Sequence, residues 1–437
     1  MDREVTLMEM LEAREVRAGR QRELLERYAR PVVSFTLNIA GPVKNDPVIR
    51  RAFREGLLRL EDALAARGLC PLHQEEVDRP TGCEALWAVD GPARTVKELC
   101  AQIEDRDPLG RLFDLDVLDP EGGKWDREAL GLPSRPCLVC GKAGKGCASR
   151  RLHPVEEIQG KTQAILRDFF AEKDRKLLAA QGARALLYEV CTPPKPGLVD
   201  RKNSGSHRDM DIFTFLNSTS VLFPYFERCV RQAMGGTLGP EELLAALRWE
   251  GKLAEQTMLA ATGGVNTHKG AIFSMGLCCA ALGQLPREQW GDPAAVLDRC
   301  GVLAQGLVEQ DYRRLTPETA CTAGETLYLR HGVTGVRGQA AAGFPAVRTV
   351  GLPTLEEGLA QGLSWNDAGC KALLALMGTA EDTNLMARGG LSGRRRRKRL
   401  PSSGVSPIGR DWTGWIRILF PGISPPVAAR TCWPCAT

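Results

Sequence analysis

Two aspartates set two residues apart are the clearest chemical feature of the first half of the chain. In FDLDVLD (113–119), Asp114 and Asp116 alternate with Phe113, Leu115 and Val117, a period of two that predicts a strand. On a strand both carboxylates project from one face, and the apolar residues take the other and are buried. Two carboxylates at that range repel each other, and a Mg2+ held by both and bridging to a polyphosphate relieves the repulsion. A solvated strand face with turn-capping aspartates has the same spacing, so spacing alone leaves both readings open.

The second half holds two loops of unusual composition. In CTPPKPGLVDRKNSGSHRDMDIF (191–213) a stiff Pro-Pro-Lys-Pro-Gly turn presents Lys195. Asp200, Arg201, Lys202, His207, Arg208, Asp209 and Asp211 follow before a helix. In ATGGVNTHKGAIFSMG (261–276), Asn266, Thr267, His268 and Lys269 again stand just before a helix. Cations and backbone N–H groups at helix starts suit phosphate, and carboxylates suit the metal that accompanies it. One such loop alone reads as a capped, solvated helix start; two in one domain favour a site. Glu381 and Asp382 in AEDTN form a further acidic pair.

Cys137, Cys140 and Cys147, followed by His153, have the spacing of a zinc site. Buried free thiols are common and are the favoured reading of these cysteines. The chain carries fifteen cysteines over 437 residues; at that length and without an export signal, reduced thiols are expected.

These residues need elements to hold them. Residues 9–29 and 48–68 have helical spacing, 31–39 (PVVSFTLNI) reads as a strand, and 155–180 is a helix leading into a new unit. From about 181 to 390 the apolar positions recur at helical intervals, as in 210–234, 240–261, 271–283 and 292–312. The expected architecture is an α/β domain over 1–178, an all-α domain over 179–391 and an irregular tail over 392–437. With 43% hydrophobic and 25% charged residues the chain is globular rather than disordered. It has no apolar run of eighteen residues and begins with a charged helix, so a cytoplasmic location without membrane contact is expected. The net charge of +5 rests on RRRRKR (394–399); the rest is near neutral, and nucleic acid is not an expected partner.

Residues 13–53 and 110–140 resemble apo-citrate lyase phosphoribosyl-dephospho-CoA transferase, over roughly the first 170 residues. The resemblance implies a nucleotidyltransferase-like domain. In its reaction a serine of the apo acyl carrier (gamma) subunit of citrate lyase attacks the α-phosphate of a triphosphoribosyl group, and pyrophosphate leaves. Asp114 and Asp116 then fit as metal ligands, with Lys44, Arg50 and Arg51 as phosphate contacts. Residues 186–218, 261–276, 330–353 and 377–391 closely resemble triphosphoribosyl-dephospho-CoA synthase. That family joins ATP to 3′-dephospho-CoA and releases adenine. The 2′-hydroxyl attacks C1′ of the ribose through an oxocarbenium-like transition state, as in glycoside cleavage. Asp209 and Asp211 are then candidates for Mg2+, and Lys195, Arg201, Lys202, Asn266 and Lys269 for the nucleotide phosphates. His207 or His268 would move protons, with Glu381 and Asp382 as a second acidic pair.

The synthase family continues past RGGL (388–391) with more helix and an ending like NISPGGSADLLA, which this chain lacks. Permitted codons for ILFPGISPPVAARTCWPCAT (418–437), read two nucleotides on, can give PVSRNISPGGCADLLALRY. The tail from about Ser392 is therefore expected to be a frameshift product; a basic nucleic-acid-binding tail and a membrane-surface anchor are the competing readings. Two further alternatives stay open: a non-catalytic carrier-binding module with an inactivated synthase half, and the equivalent malonate decarboxylase system.

Overall fold

A computed structural model describes residues 3–379 apart from 122, 143–146, 148, 149, 151, 196 and 321. The acidic pair Glu381 and Asp382 and the tail 392–437 lie outside the described residues. The chain divides into two compact units, the first ending at Glu172 and the second starting at Lys173.

The first unit is α/β. Helix α1 (Leu7–Tyr28) leads into strand β1 (Val32–Leu37), helix α2 (Pro47–Ala66), the hairpin β2 (Cys70–Arg79) and β3 (Gly82–Asp90), helix α3 (Ala93–Asp105), and strands β4 (Phe113–Leu118) and β5 (Lys124–Trp125). Start signals are explicit in the sequence. Thr6 and Glu9 form a capping box on α1, and Asp46 caps α2 with Pro47 at its first turn. The sheet has the order β2-β3-β1-β4-β5, and every pairing is antiparallel.

Period-two alternation divides the sheet's side chains between two layers. On one face, Val33 and Phe35 join Leu115 and Val117 in a core with α2 and α3 residues such as Phe53 and Leu99. Phe35 stacks on Phe53 at 4.8 Å and meets Phe113 edge-on at 5.5 Å. On the other face, Val32, Leu86 and Ala88 pack on Leu24 and Leu25 of α1, and Ser34 Oγ accepts from Gln21 Nε2 at 2.8 Å.

Helix α4 runs unbroken from Val155 to Cys191, beyond the residue 180 expected from periodicity. Residues 181–191 contain no proline and one glycine, so nothing stops the helix before Pro193 and Pro194.

The second unit is mostly helical: α5 (Ile212–Met234), α6 (Pro240–Ala261), α7 (Lys269–Gln284), α8 (Pro293–Leu303), α9 (Leu307–Tyr312), α10 (Ala323–His331), α11 (Gly335–Ala341), α12 (Leu352–Ala360) and α13 (Trp365–Thr379). Its core is built from α5, α6, α7 and α8, with Phe226, Leu243, Leu277 and Leu297 among the buried residues. Helix α7 is buried along most of its length, as expected of a helix apolar on all sides. Gly276 lets it approach α5: a Cβ there would stand 1.9 Å from Tyr225 Oη, and that hydroxyl donates to Ile272 O at 2.9 Å. No helix among the described residues is long and apolar enough to cross a membrane.

Candidate functional site

In the first unit the site is built on the open edge of β4. Strand β5 pairs with Val117 and Leu118, and among the described residues the edge at Phe113 to Asp116 has no backbone partner on that side. Side chains take its place. Buried Lys97 donates to Leu115 O at 2.7 Å, and buried Glu104 accepts from Leu115 N at 3.0 Å. Arg135 donates to Phe113 O at 2.8 Å and to Arg111 O at 2.8 Å. Glu104 in turn lies 3.4 Å from Arg135 and 3.5 Å from Arg127. Burial still holds its carboxyl above the ordinary range, against the pull of Arg135.

Asp114 and Asp116 stand opposite Thr36 and Ser34 of β1. They therefore leave the sheet on the face away from Phe113, Leu115 and Val117, all three fully buried. Both line a cleft of ≈ 790 Å³ together with Lys124, Arg111, Arg127 and Arg135. Lys124 Nζ meets Asp116 at 2.7 Å. The surrounding protein, and then the charge of Asp116, raise the carboxyl of Asp114 above its ordinary range. The arrangement offers two hard oxygen donors ringed by cations, which suits a metal-bound polyphosphate.

The structure does not bring Lys44, Arg50 or Arg51 to the lining of this cleft. Lys44 donates to Ile39 O at 2.5 Å, and burial lowers its ammonium from the usual range. Arg50 faces Asp78 at 3.7 Å, and the Arg51 guanidinium lies 4.1 Å over the Phe170 ring. Beside the cleft, one ligand atom from each of Cys137, Cys140, Cys147 and His153 lies within 4.8 Å of the others.

In the second unit, His268 and Lys195 are both buried and lie close enough to interact electrostatically. His268 precedes α7. Its Nδ1 is 2.6 Å from Ser218 Oγ of α5, and Phe215 packs edge-on against the ring at 4.9 Å. Among the described residues its Nε2 is buried without a hydrogen-bond partner. Burial, and then the charge of Lys195, lower the imidazole to about 4, so the ring is neutral at neutral pH and able to accept a proton. Lys195 pairs with Glu189.

Asp200 organises the first loop: its carboxylate accepts from the backbone N–H of Lys195 at 3.0 Å, Lys202 at 2.7 Å and Asn203 at 3.0 Å. Arg201 and Lys202 are exposed on that loop. His207 Nδ1 is 3.9 Å from Asp209, and Asp211 caps α5 through Thr214. At the second loop, Asn266 accepts from Lys269 N at 3.2 Å, and Lys269 Nζ reaches Glu255 at 3.0 Å. Lys269 lines a smaller cleft with Lys252, Arg248 and Arg337; His268 is not part of that lining. Lys195 of the first loop thus lies within electrostatic range of His268 of the second, and Lys269 lines the other cleft.

Sequence reasoning missed Lys97, Glu104, Arg127 and Arg135, and it missed Ser218. The first four come from segments outside the aspartate motif, and only the sheet's connectivity gathers them. Ser218 falls at helical intervals from Leu222 and Phe226 on the buried face of α5, and a serine on that face was the available signal.

Comparison with known proteins finds a different family for each half of the chain. The family model for apo-citrate lyase phosphoribosyl-dephospho-CoA transferase (CitX) matches residues 5–169. That for ATP:dephospho-CoA triphosphoribosyl transferase (CitG) matches residues 175–400. Protein CitXG of Haemophilus influenzae is 38% identical, covering 89% of this chain and 84% of its own. Protein CitXG of Leuconostoc mesenteroides subsp. cremoris is 33% identical, covering 88% and 84%. A 2-(5''-triphosphoribosyl)-3'-dephosphocoenzyme-A synthase of Pectobacterium atrosepticum is 44% identical over 48% of this chain and 70% of its own. The chain belongs to the CitXG family of bifunctional enzymes, in which a phosphoribosyl-dephospho-CoA transferase of apo-citrate lyase is fused to a triphosphoribosyl-dephospho-CoA synthase.

Proposed function

We propose that the two reactions of this family are divided between the two units, synthase chemistry around His268 and transfer chemistry at the cleft on β4. The second unit joins ATP to 3′-dephospho-CoA at the 2′-hydroxyl and releases adenine. The first unit passes the phosphoribosyl-dephospho-CoA group to a serine of the apo acyl carrier subunit of citrate lyase and releases pyrophosphate. The observation that carries the transferase assignment is the Asp114–Asp116 pair facing a cleft lined by Arg111, Arg127 and Arg135.

At the synthase site, His268 accepts the proton of the attacking 2′-hydroxyl. With Nδ1–H donating to Ser218 Oγ, the lone pair stays on Nε2. The C1′–O bond forms as the C1′–N bond to adenine breaks, and the triphosphate remains on the ribose. Lys195, close to His268, together with Arg201, Lys202, Asn266 and Lys269, is assigned to substrate phosphates. His207, Asp209, Asp211, Glu381 and Asp382 remain candidates for the acid and metal roles; Oδ1 of Asp211 is already committed to the α5 cap.

At the transferase site, the serine oxygen forms a bond to the α-phosphorus as the bond to pyrophosphate breaks, and the hydroxyl proton leaves to solvent or with the pyrophosphate. Arg111, Arg127 and Arg135, which line the cleft, neutralise the departing charge. Asp114 and Asp116 fit Mg2+, being hard oxygen donors whose mutual repulsion a divalent cation relieves. Bound there, Mg2+ would supply charge neutralisation on the polyphosphate. A carboxylate pair on an antiparallel sheet supports a nucleotidyltransferase-like reading of this unit. Its substrates, and cysteines that are free thiols wherever the structure describes them, favour the cytoplasm.

The test is a rescue pattern read by mass spectrometry of the acyl carrier. With ATP, dephospho-CoA and Mg2+, His268→Ala leaves the carrier unmodified, and preformed triphosphoribosyl-dephospho-CoA restores modification. Asp114→Asn stays blocked under both conditions. Rescue of Asp114→Asn, or failure to rescue His268→Ala, would overturn the division of labour.

A further inference from the structure

Between the helical turn at Glu128–Leu130 and the start of α4 at Val155, the chain CLVCGKAGKGCASRRLH (137–153) carries three cysteines and a histidine. Its described part is fixed by a tight turn. Cys137 N donates to Lys142 O at 2.6 Å, and Gly141 N donates to Cys137 O at 3.0 Å. Gly141 takes the left-handed φ of 70° that the turn requires. That turn brings Cys137 and Cys140 together, and with Cys147 and His153 the four ligand atoms lie within 4.8 Å of one another. Cys140 and Cys147 Sγ are 3.5 Å apart, well beyond the ~2.05 Å of a disulfide. In a tetrahedron with metal–sulfur bonds of about 2.3 Å, two thiolates stand about 3.8 Å apart. The spacing is thus close to that of a metal-bound pair.

The histidine supplies a second, independent observation. Its Nδ1 lies 3.3 Å from the Glu157 carboxylate one helical turn on. Among the described residues its Nε2 is buried with no hydrogen-bond partner. A carboxylate beside one ring nitrogen, and a ring within reach of a thiol cluster, is the outer-shell arrangement of metal-bound histidines.

We propose that Cys137, Cys140, Cys147 and His153 bind one zinc ion as a closed structural site. Three sulfurs and one nitrogen complete a tetrahedron, leaving no open position for substrate, and thiolate-rich tetrahedral donor sets select zinc over Mg2+ or Ca2+. The role follows from position. Cys137, Cys147 and His153 line the same cleft as Arg135, which lies two residues before Cys137 and holds the edge of β4. Zinc cross-links four points between 137 and 153 and so keeps Arg135 against the strand that carries Asp114 and Asp116.

The test uses the full chain, expressed with zinc available and dialysed into metal-free buffer. Elemental analysis is expected to find about one zinc per chain. Replacement by Co2+ should give intense thiolate charge-transfer bands and the visible absorption of a tetrahedral ion. Cys140→Ser and His153→Ala should lose most of the zinc, and Glu157→Ala should weaken binding by about 10- to 100-fold. Because the ligand variants could unfold, wild-type protein titrated with an organomercurial provides a separate readout, with zinc released as the thiols react. Wild-type protein that carries no zinc and gives no cobalt spectrum would overturn the proposal. So would zinc retained in full by the Cys140→Ser and Cys147→Ser variants, or a Cys140–Cys147 disulfide in the protein as isolated. Zinc removal should abolish carrier modification and spare adenine release. That last expectation rests on the cleft being the transfer site, whereas metal content does not, so the two can fail separately.

Discussion

Asp114→Asn should abolish transfer without weakening the fold, and the two effects have separate physical origins. Residues two apart on a strand stand roughly 7 Å apart. Two unit charges at that distance repel by roughly 0.6 kcal/mol in water and about 2.4 kcal/mol at an effective dielectric of 20. Asp114 is exposed to the cleft, and Lys124 already compensates Asp116, so the lower figure applies. The folded state raises the Asp114 carboxyl above its ordinary range. The native chain therefore holds its proton to higher pH than the unfolded chain does, and stability falls as pH rises through that window. At neutral pH the ionised group costs stability, and an amide removes that cost. A carboxylate lost from a metal-bound polyphosphate site costs several kcal/mol in the transition state, a decrease of about 100- to 1,000-fold in rate. The assay is single-turnover modification of apo acyl carrier with preformed triphosphoribosyl-dephospho-CoA, paired with a thermal melt. Transfer retained within about threefold, which is under 1 kcal/mol, would refute the reasoning. So would a loss of activity that tracks a loss of folded protein.

Other outcomes follow from individual contacts. His268 titrates at about 4, so adenine release should show no inflection near the ordinary histidine value of about 6.5 and should fall only as pH approaches 4. Unfolded chain takes up that proton near 6.5 and folded chain does not. Denaturation midpoints should therefore drop as pH falls from 6.5 toward 4, and His268→Gln should remove that part of the slope. Glu104→Ala leaves Arg127 and Arg135 without their shared carboxylate and Leu115 N without its acceptor. The expected cost is about 3–5 kcal/mol by calorimetry, and a cost below about 1 kcal/mol would contradict the edge-sealing role. A chain ending at Leu391 should release adenine at the rate of the full chain; a lower rate would assign the tail a function.

The aspartate pair of the first unit was legible because its signal is local. The alternation in FDLDVLD placed Asp114 and Asp116 on one face of a strand, and β4 carries them opposite the buried Phe113, Leu115 and Val117. What surrounds them was not legible. Lys97 and Glu104 reach β4 only because α3 follows the β2–β3 hairpin and packs beside that strand, and no spacing within 93–118 encodes it. The hairpin itself, turning at Pro80–Thr81–Gly82, had readable turn residues that were overlooked. In the second unit the helical period was plain, and a loop's composition pointed to His268. Its burial, its depressed titration and its contact with Ser218 depend on α5 and α7 packing together, which is tertiary information. The cysteines and His153 had suggestive spacing, but only folded geometry separates four converging ligand atoms from four scattered thiols.

The most direct test of a bifunctional assignment is adenine release from ATP and Mg2+, with and without 3′-dephospho-CoA, followed by addition of apo acyl carrier. The account predicts adenine only when dephospho-CoA is present, and then a carrier heavier by one phosphoribosyl-dephospho-CoA with pyrophosphate released. Adenine formed regardless of dephospho-CoA, or none formed by a folded chain, would contradict it.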